Sequence, residues 1–197
     1  MKPMKAEFIM SAAHFKELPA HEGDEFCVMG RSNVGKSSFV NHVFENRALA
    51  RVSGMPGKTI LANVYKVSDG TTWVDLPGYG YARASKIEQV RWSRLIEEYC
   101  EKRKNLKGII WLLDARHVGL TIDLEARDWL SHRRLPLLPV LMKCDKLTKA
   151  EIAAQMKNFI KTFGFTFAPV PFSSKEILYR ERFWKHYEIW RNGGSMR

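Results

Sequence analysis

Cysteine is scarce: the 197 residues include three, Cys27, Cys100 and Cys144, far apart, odd in number and without a CxxC pair. That usage excludes a disulfide framework, offers no zinc ligand set and fits a reducing, cytoplasmic setting. Long apolar runs are missing too. In MKPMKAEFIMSAAHF the apolar residues are broken by Glu7, Ser11 and His14, leaving no signal-peptide core, and no run elsewhere is long enough to span a bilayer. Stable membrane insertion is therefore not expected. The six histidines have no metal-ligand spacing, and there is no repeat, long linker or low-complexity tract.

Acidic residues are also in short supply, with 21 Asp and Glu against 32 Lys and Arg, a formal charge of +11. Such an excess favours a polyanionic partner such as RNA, DNA or an anionic membrane. It is uneven: residues 1–25 hold three lysines against five acids, so the remainder carries the whole surplus. With 45% hydrophobic and 27% charged residues, a chain of this length builds one substantial core and leaves no room for a second enzyme domain. We expect residues 1–22 as an N-terminal extension, 23–191 as the domain, and 192–197 as a flexible tail.

The apolar run EFCVMG at 25–30 ends at glycine, and SSFVNHVF after Lys36 turns to helical spacing, which reads as strand, loop, helix. ILANVYKV and TTWVDL predict a hairpin turning at Asp69-Gly70, with an antiparallel edge strand. Residues 85–104 predict a long amphipathic helix. GIIWLLD (108–114) and LPLLPVLMKCD (135–145) resemble buried parallel strands joined through the helical DLEARDWLSHRR. Helix 149–163, a short strand FTFAPV and a final helix from about 175 to 190 complete the pattern. Residues 183, 187 and 190 of that helix share a face suited to the core, and Trp73 and Trp111 read as core strand residues. The fold class is α/β, a P-loop NTPase three-layer sandwich with a mostly parallel six-stranded sheet and helices on both faces.

The chemistry concentrates in short loops. Gly30-Arg31-Ser32-Asn33-Val34-Gly35-Lys36-Ser37 matches GxxxxGK[ST], in which glycine lets backbone amides curl around phosphate oxygens where a helix begins. Lys36 would reach the outer phosphates and Ser37 would ligate magnesium. Asp75-Leu76-Pro77-Gly78 ends a strand; alone it is a common turn, but 39 residues after Lys36 it reads as a nucleotide switch, Asp75 behind a magnesium-bound water and the Gly78 amide near the terminal phosphate. At Lys143-Cys144-Asp145 the aspartate can accept the N1 and 2-amino hydrogens of guanine, a donor pair adenine lacks, while the lysine stem lies along the base. Ser173-Ser174-Lys175 could turn a backbone amide toward guanine O6, or be an ordinary helix start.

In their order and intervals GRSNVGKSS at 30–38, PGKT at 56–59, DLPGYGYA at 75–82, KCD at 143–145 and SSK at 173–175 resemble the EngB (YihA/YsxC) family of bacterial GTPases, of the translation-factor-related class. The resemblance implies GTP or GDP as ligand and GTP hydrolysis, with Lys36, Gly78 and Asn33 nearest the chemistry, and Tyr79 points to slow intrinsic turnover. It assigns Gly30 through Ser38, Gly57, Lys58, Thr59, Asp75, Leu76, Pro77, Gly78, Met142, Lys143, Asp145, Ser173, Ser174 and Lys175 to the nucleotide, and Ser37, Thr59 and Asp75 to magnesium. Residues 48–59 would be the first switch and 78–85 the second. Met142 stands where the base-recognition motif has Asn or Thr, so that side-chain hydrogen bond is lost. Tyr79 stands where many signalling GTPases have the glutamine that positions water, and a phenol cannot copy an amide. Asn33 resembles its counterpart in potassium-dependent relatives, and the bland reading is local hydrogen bonding.

The same resemblance implies the large ribosomal subunit and its RNA as partner and a requirement in cell division and septation; nothing in the sequence demands a permanent oligomer, and a monomer is expected. The basic clusters Lys102, Arg103, Lys104, Lys107 and Lys175, Arg180, Arg182, Lys185, Arg191, Arg197 are candidate RNA contacts, or solvated faces. The alternative function is a nucleotide-gated RNA- or protein-binding module with little intrinsic GTPase activity.

Overall fold

The computed structural model describes residues 4–50, 61–80 and 86–194. One sheet runs through the molecule: β1 (Ala6–Ala12), β2 (Glu25–Gly30), β3 (Ala62–Val67), β4 (Thr72–Asp75), β5 (Leu106–Asp114), β6 (Leu137–Met142) and β7 (Val170–Pro171), in the order β1-β3-β4-β2-β5-β6-β7. Strands β4, β2, β5, β6 and β7 are parallel; β3 is antiparallel to β4 and β1. The sheet therefore has seven strands, not six, and the hairpin strand β3 is internal rather than at the edge. The seventh is β1, inside residues 1–22. Its alternation is hidden because the register shifts between Phe8 and Met10, which leaves both Phe8 and Ile9 half exposed. FTFAPV also shortens, pairing only at Val170–Pro171, where flanking prolines remove ladder donors.

Alternation along β2 divides the core in two. Phe26 and Val28 face the layer of α1 (Lys36–Val43) and α5 (Ile177–Arg191), while Cys27 and Met29 face the layer of α2 (Lys86–Lys102), α3 (Thr121–Ser131) and α4 (Lys149–Phe163). The first layer is strongly aromatic: Phe39, Phe44, Trp73, Phe183, Trp184 and Tyr187 pack with ring centroids 4.9–6.4 Å apart, mostly edge to face, with Phe39 stacked on Trp73 and Trp73 tilted against Tyr187. Phe183, Tyr187 and Trp190 are buried, as their helical spacing predicts. Trp73 and Trp111 are core residues.

Beneath the sheet the buried Glu25 carboxylate is held by Arg103, Tyr99 and His21 at 2.6–2.8 Å, tying the end of α2 and the 19–24 segment to β2. At the other end, the carboxyl ends of the parallel strands bring together the loops that carry the motifs. The chain reverses its order on either side of β2, the place where open parallel sheets bind ligands.

Candidate functional site

The phosphate loop leaves β2 at Gly30, where a Cβ would meet the Leu112 carbonyl at 2.8 Å and Val34 Cγ1 at 2.9 Å; only glycine fits. Gly35, at φ +108°, caps α1 so that Lys36 is its first residue. Lys36 is 9% exposed, and burial lowers its pKa while the charge of Asp75 partly restores it. Val34 is buried and Asn33 is exposed at φ +62°, its carboxamide without a hydrogen-bond partner among the described residues.

Asp75 ends β4 beside Lys36. Burial pushes its carboxyl up to about 6 against the pull of Lys36, and both carboxylate oxygens are buried without a hydrogen-bond partner among the described residues. Orphaned hard oxygen donors beside the loop fit a magnesium ion, held directly or through its water, with the Ser37 hydroxyl at the head of α1 as a second donor. Leu76 and Pro77 are buried. A Cβ on Gly78 would lie 3.0 Å from both Lys36 Nζ and Ser32 N, so this backbone presses on the loop. Gly57, Lys58, Thr59 and residues 81–85, with most of the first switch and part of the second, lie outside the described residues.

On the base side Lys143, at φ +65°, donates from Nζ to the Asn33 carbonyl at 2.8 Å and to Asp114 at 3.0 Å. Asp145 accepts from the buried Ser173 hydroxyl at 3.1 Å, and Lys175 lies 2.9 Å from its other oxygen in an ion-pair contact rather than an aligned hydrogen bond. Burial raises the Asp145 pKa, but Lys175 and Ser173 outweigh it and leave the carboxylate below its ordinary value. Ser174 is exposed. Met142 is 2% exposed with Cε 3.4 Å from a Cβ on Gly35, so it packs beneath the phosphate loop.

Asp114 and Asp123 were not singled out in the sequence. Asp114, at the end of β5 and fully buried, receives Arg116 in two contacts of 2.8–2.9 Å, Lys143, and Arg31 at 3.3 Å. Burial alone would raise it, but these cations hold it well below the usual carboxylate range. The signal was an aspartate closing an apolar strand with arginine two residues on. Asp123 accepts from the Tyr79 hydroxyl at 2.8 Å, and that oxygen accepts from Trp111 Nε1 at 2.9 Å. Tyr79 is thus docked on α3 and β5.

The proposed RNA clusters are largely neutralised. Lys102 pairs with Glu98, Arg103 with Glu25, Lys107 with Asp24, Lys175 with Asp145, Arg180 with Glu45, and Arg191 with Asp69 and Glu188. Lys104, Arg182 and Lys185 carry no ion pair among the described residues, and Arg197 lies outside them. Among the described residues, no helix is long and apolar enough to cross a membrane, and no three or more His, Cys, Asp and Glu residues cluster in a way that could hold a metal by themselves.

The sequence model of a family described as 50S ribosome-binding GTPase matches residues 25–143. The probable GTP-binding protein EngB of Desulfitobacterium hafniense (strain DSM 10664 / DCB-2) is 42% identical over 157 residues, 80% of this chain and 78% of that protein. That of Lactobacillus gasseri is 41% identical over 194 residues, covering 95% and 98%. The crystal structure of a probable GTP-binding protein engB superposes with a TM-score of 0.69 at 20% identity, over 85% of this chain and 99% of that one, a likeness of fold.

Proposed function

The chain belongs to the EngB family of GTP-binding switch proteins, and on that premise we propose that it is a magnesium-dependent GTPase that assists assembly of the large ribosomal subunit. The observation that carries the reading is Asp75: a carboxylate with two orphaned oxygens, beside a buried lysine, at the mouth of a glycine-shaped phosphate loop. Leaving such a group unpaired is costly to the folded chain and is explained by a ligand that supplies cation and phosphate together.

In this reading the amides of Gly30 through Ser38 and the Lys36 ammonium bind the phosphates, and the Gly78 amide meets the terminal one. Ser37, Asp75 and Thr59 would hold magnesium, which withdraws charge from the outer phosphates when bound. Asp145 reads the guanine edge, while Lys143, fixed by Asp114 and the Asn33 carbonyl, lies along the base with Ser173 and Lys175 closing that side. Met142 contributes packing. The phenol of Tyr79 is engaged by Asp123 and Trp111, supporting slow hydrolysis without a partner.

Lys104, Arg182 and Lys185 are the cations of the two clusters left to meet phosphate, and neutralising all three should reduce the salt dependence of association with large subunits. The deciding experiment is single-turnover GTP cleavage with and without those subunits, with ATP as competitor. Acceleration by the subunit and no competition by ATP support the proposal. Equal affinity for ATP would remove the guanine assignment. GTP that stays intact on the subunit would favour the nucleotide-gated RNA- or protein-binding module.

A further inference from the structure

Tyr79 and Asp123 do more than pack. The backbone of Tyr79 bridges Arg31 in the phosphate loop: Ser32 N donates to the Tyr79 carbonyl at 2.8 Å, and Tyr79 N donates to the Gly30 carbonyl at 3.3 Å. This bridge is what brings Gly78 against Ser32 N and Lys36 Nζ. Beyond it, Gly80 at φ +76° passes so close to α3 that a Cβ would meet Ile122 Cδ1 at 2.4 Å. The segment Gly78–Gly80 is therefore pinned on two sides, to the phosphate loop by backbone and to α3 by the phenol.

A terminal phosphate contacting both Lys36 and the Gly78 amide has to fit between groups that here adjoin one another. A nucleoside diphosphate leaves that gap closed; a triphosphate must open it, breaking the backbone bridge and dislodging Tyr79. With Tyr79 on Oδ1, the other oxygen of Asp123 is buried and without a hydrogen-bond partner among the described residues, so the one hydrogen bond of this carboxylate there is the one that holds the phenol.

We propose that Asp123 is a positioning residue that sets the balance between di- and triphosphate, by holding Tyr79, and through it Gly78, against the phosphate loop. The proposal rests on the reading of this site as a guanine-nucleotide site and adds the element that weights its two states. A ligand shifts such an equilibrium only by its differential affinity, so loosening the latch should change the ratio of the two affinities.

The test is equilibrium binding of fluorescent GDP and a non-hydrolysable GTP analogue to the full chain and to Tyr79→Phe, Asp123→Leu and Asp123→Asn. Tyr79→Phe and Asp123→Leu should raise triphosphate affinity relative to diphosphate about threefold to tenfold, the range of one net hydrogen bond. Asp123→Asn keeps an acceptor for the phenol and should stay near the parent ratio, a rescue that a purely structural role does not predict. Tyr79→Phe removes a single oxygen and keeps the test open if Asp123→Leu does not fold. A parent chain that binds both nucleotides with a ratio unmoved by Tyr79→Phe overturns the latch alone. A parent chain that takes up neither overturns the nucleotide reading and the latch with it.

Discussion

Replacing Asp75 with asparagine should make the nucleotide-free protein more stable while abolishing its ability to hold magnesium. Burial lifts the Asp75 carboxyl from 3.8 to about 6 even with Lys36 beside it. A raised carboxyl pKa means the folded state prefers the neutral form, so its stabilising effect is complete below about pH 4 and is lost as pH rises through 6. The gap of about two units corresponds to about 3 kcal/mol at pH 7.5, with the attraction to Lys36 already included. For a chain of this size that is about 6–12 °C in Tm, an upper bound because the carboxamide is itself left without partners. Thermal unfolding in EDTA without nucleotide measures it. Asp75→Asn should melt above the parent at pH 7.5, with most of the gap closed by pH 4; magnesium and GDP should stabilise the parent and leave the variant behind. A variant no more stable than its parent at pH 7.5, or a gap equal at both pH values, would refute the electrostatic account.

Asp114→Asn weakens the hold on the Lys143 ammonium and should lower GDP affinity about threefold to thirtyfold in titration calorimetry, with a smaller effect on inorganic diphosphate, which has no base. Met142→Thr, which restores a polar side chain at the base-motif position, should cost about 1–3 kcal/mol in denaturant unfolding because the site is core. If Asn33 places a cation, GTP turnover should be faster in potassium than in sodium, and Asn33→Ala should erase the difference; equal rates in both salts remove that role.

The strand, loop and helix around Lys36 were legible because a short apolar run, glycine and helical spacing adjoin in the chain. The same holds for helix 149–163, whose Thr148 and Glu151 form a reciprocal cap at its start, and for the aromatic face of the last helix. The edge strand β1 was not, since a register shift breaks the alternation that reveals a strand. Candidate site residues could be proposed from the chain wherever the motif is local, as at Gly30 through Ser38, which the structure places between β2 and α1. Asp114 and Asp123 escaped because their roles depend on partners 29 and 44 positions away, joined only once β5 and β6 lie side by side and α3 covers the sheet. Met142 was visible as a departure from pattern, but its consequence depends on burial, a property of the folded chain.

The aromatic layer against α1 and the indole of Trp111 on the opposite face have a spectroscopic consequence. Trp73 and Trp184 sit within a few ångströms of each other in a packed slab, so their emission should remain a fixed background. Trp111 instead donates its N–H to the one phenol whose position is tied to the phosphate loop. Exchange of one nucleotide for another should therefore change the polarity and quenching felt by Trp111. A Trp111→Phe chain supplies the blank, and the unlabelled protein can report its own turnover in real time.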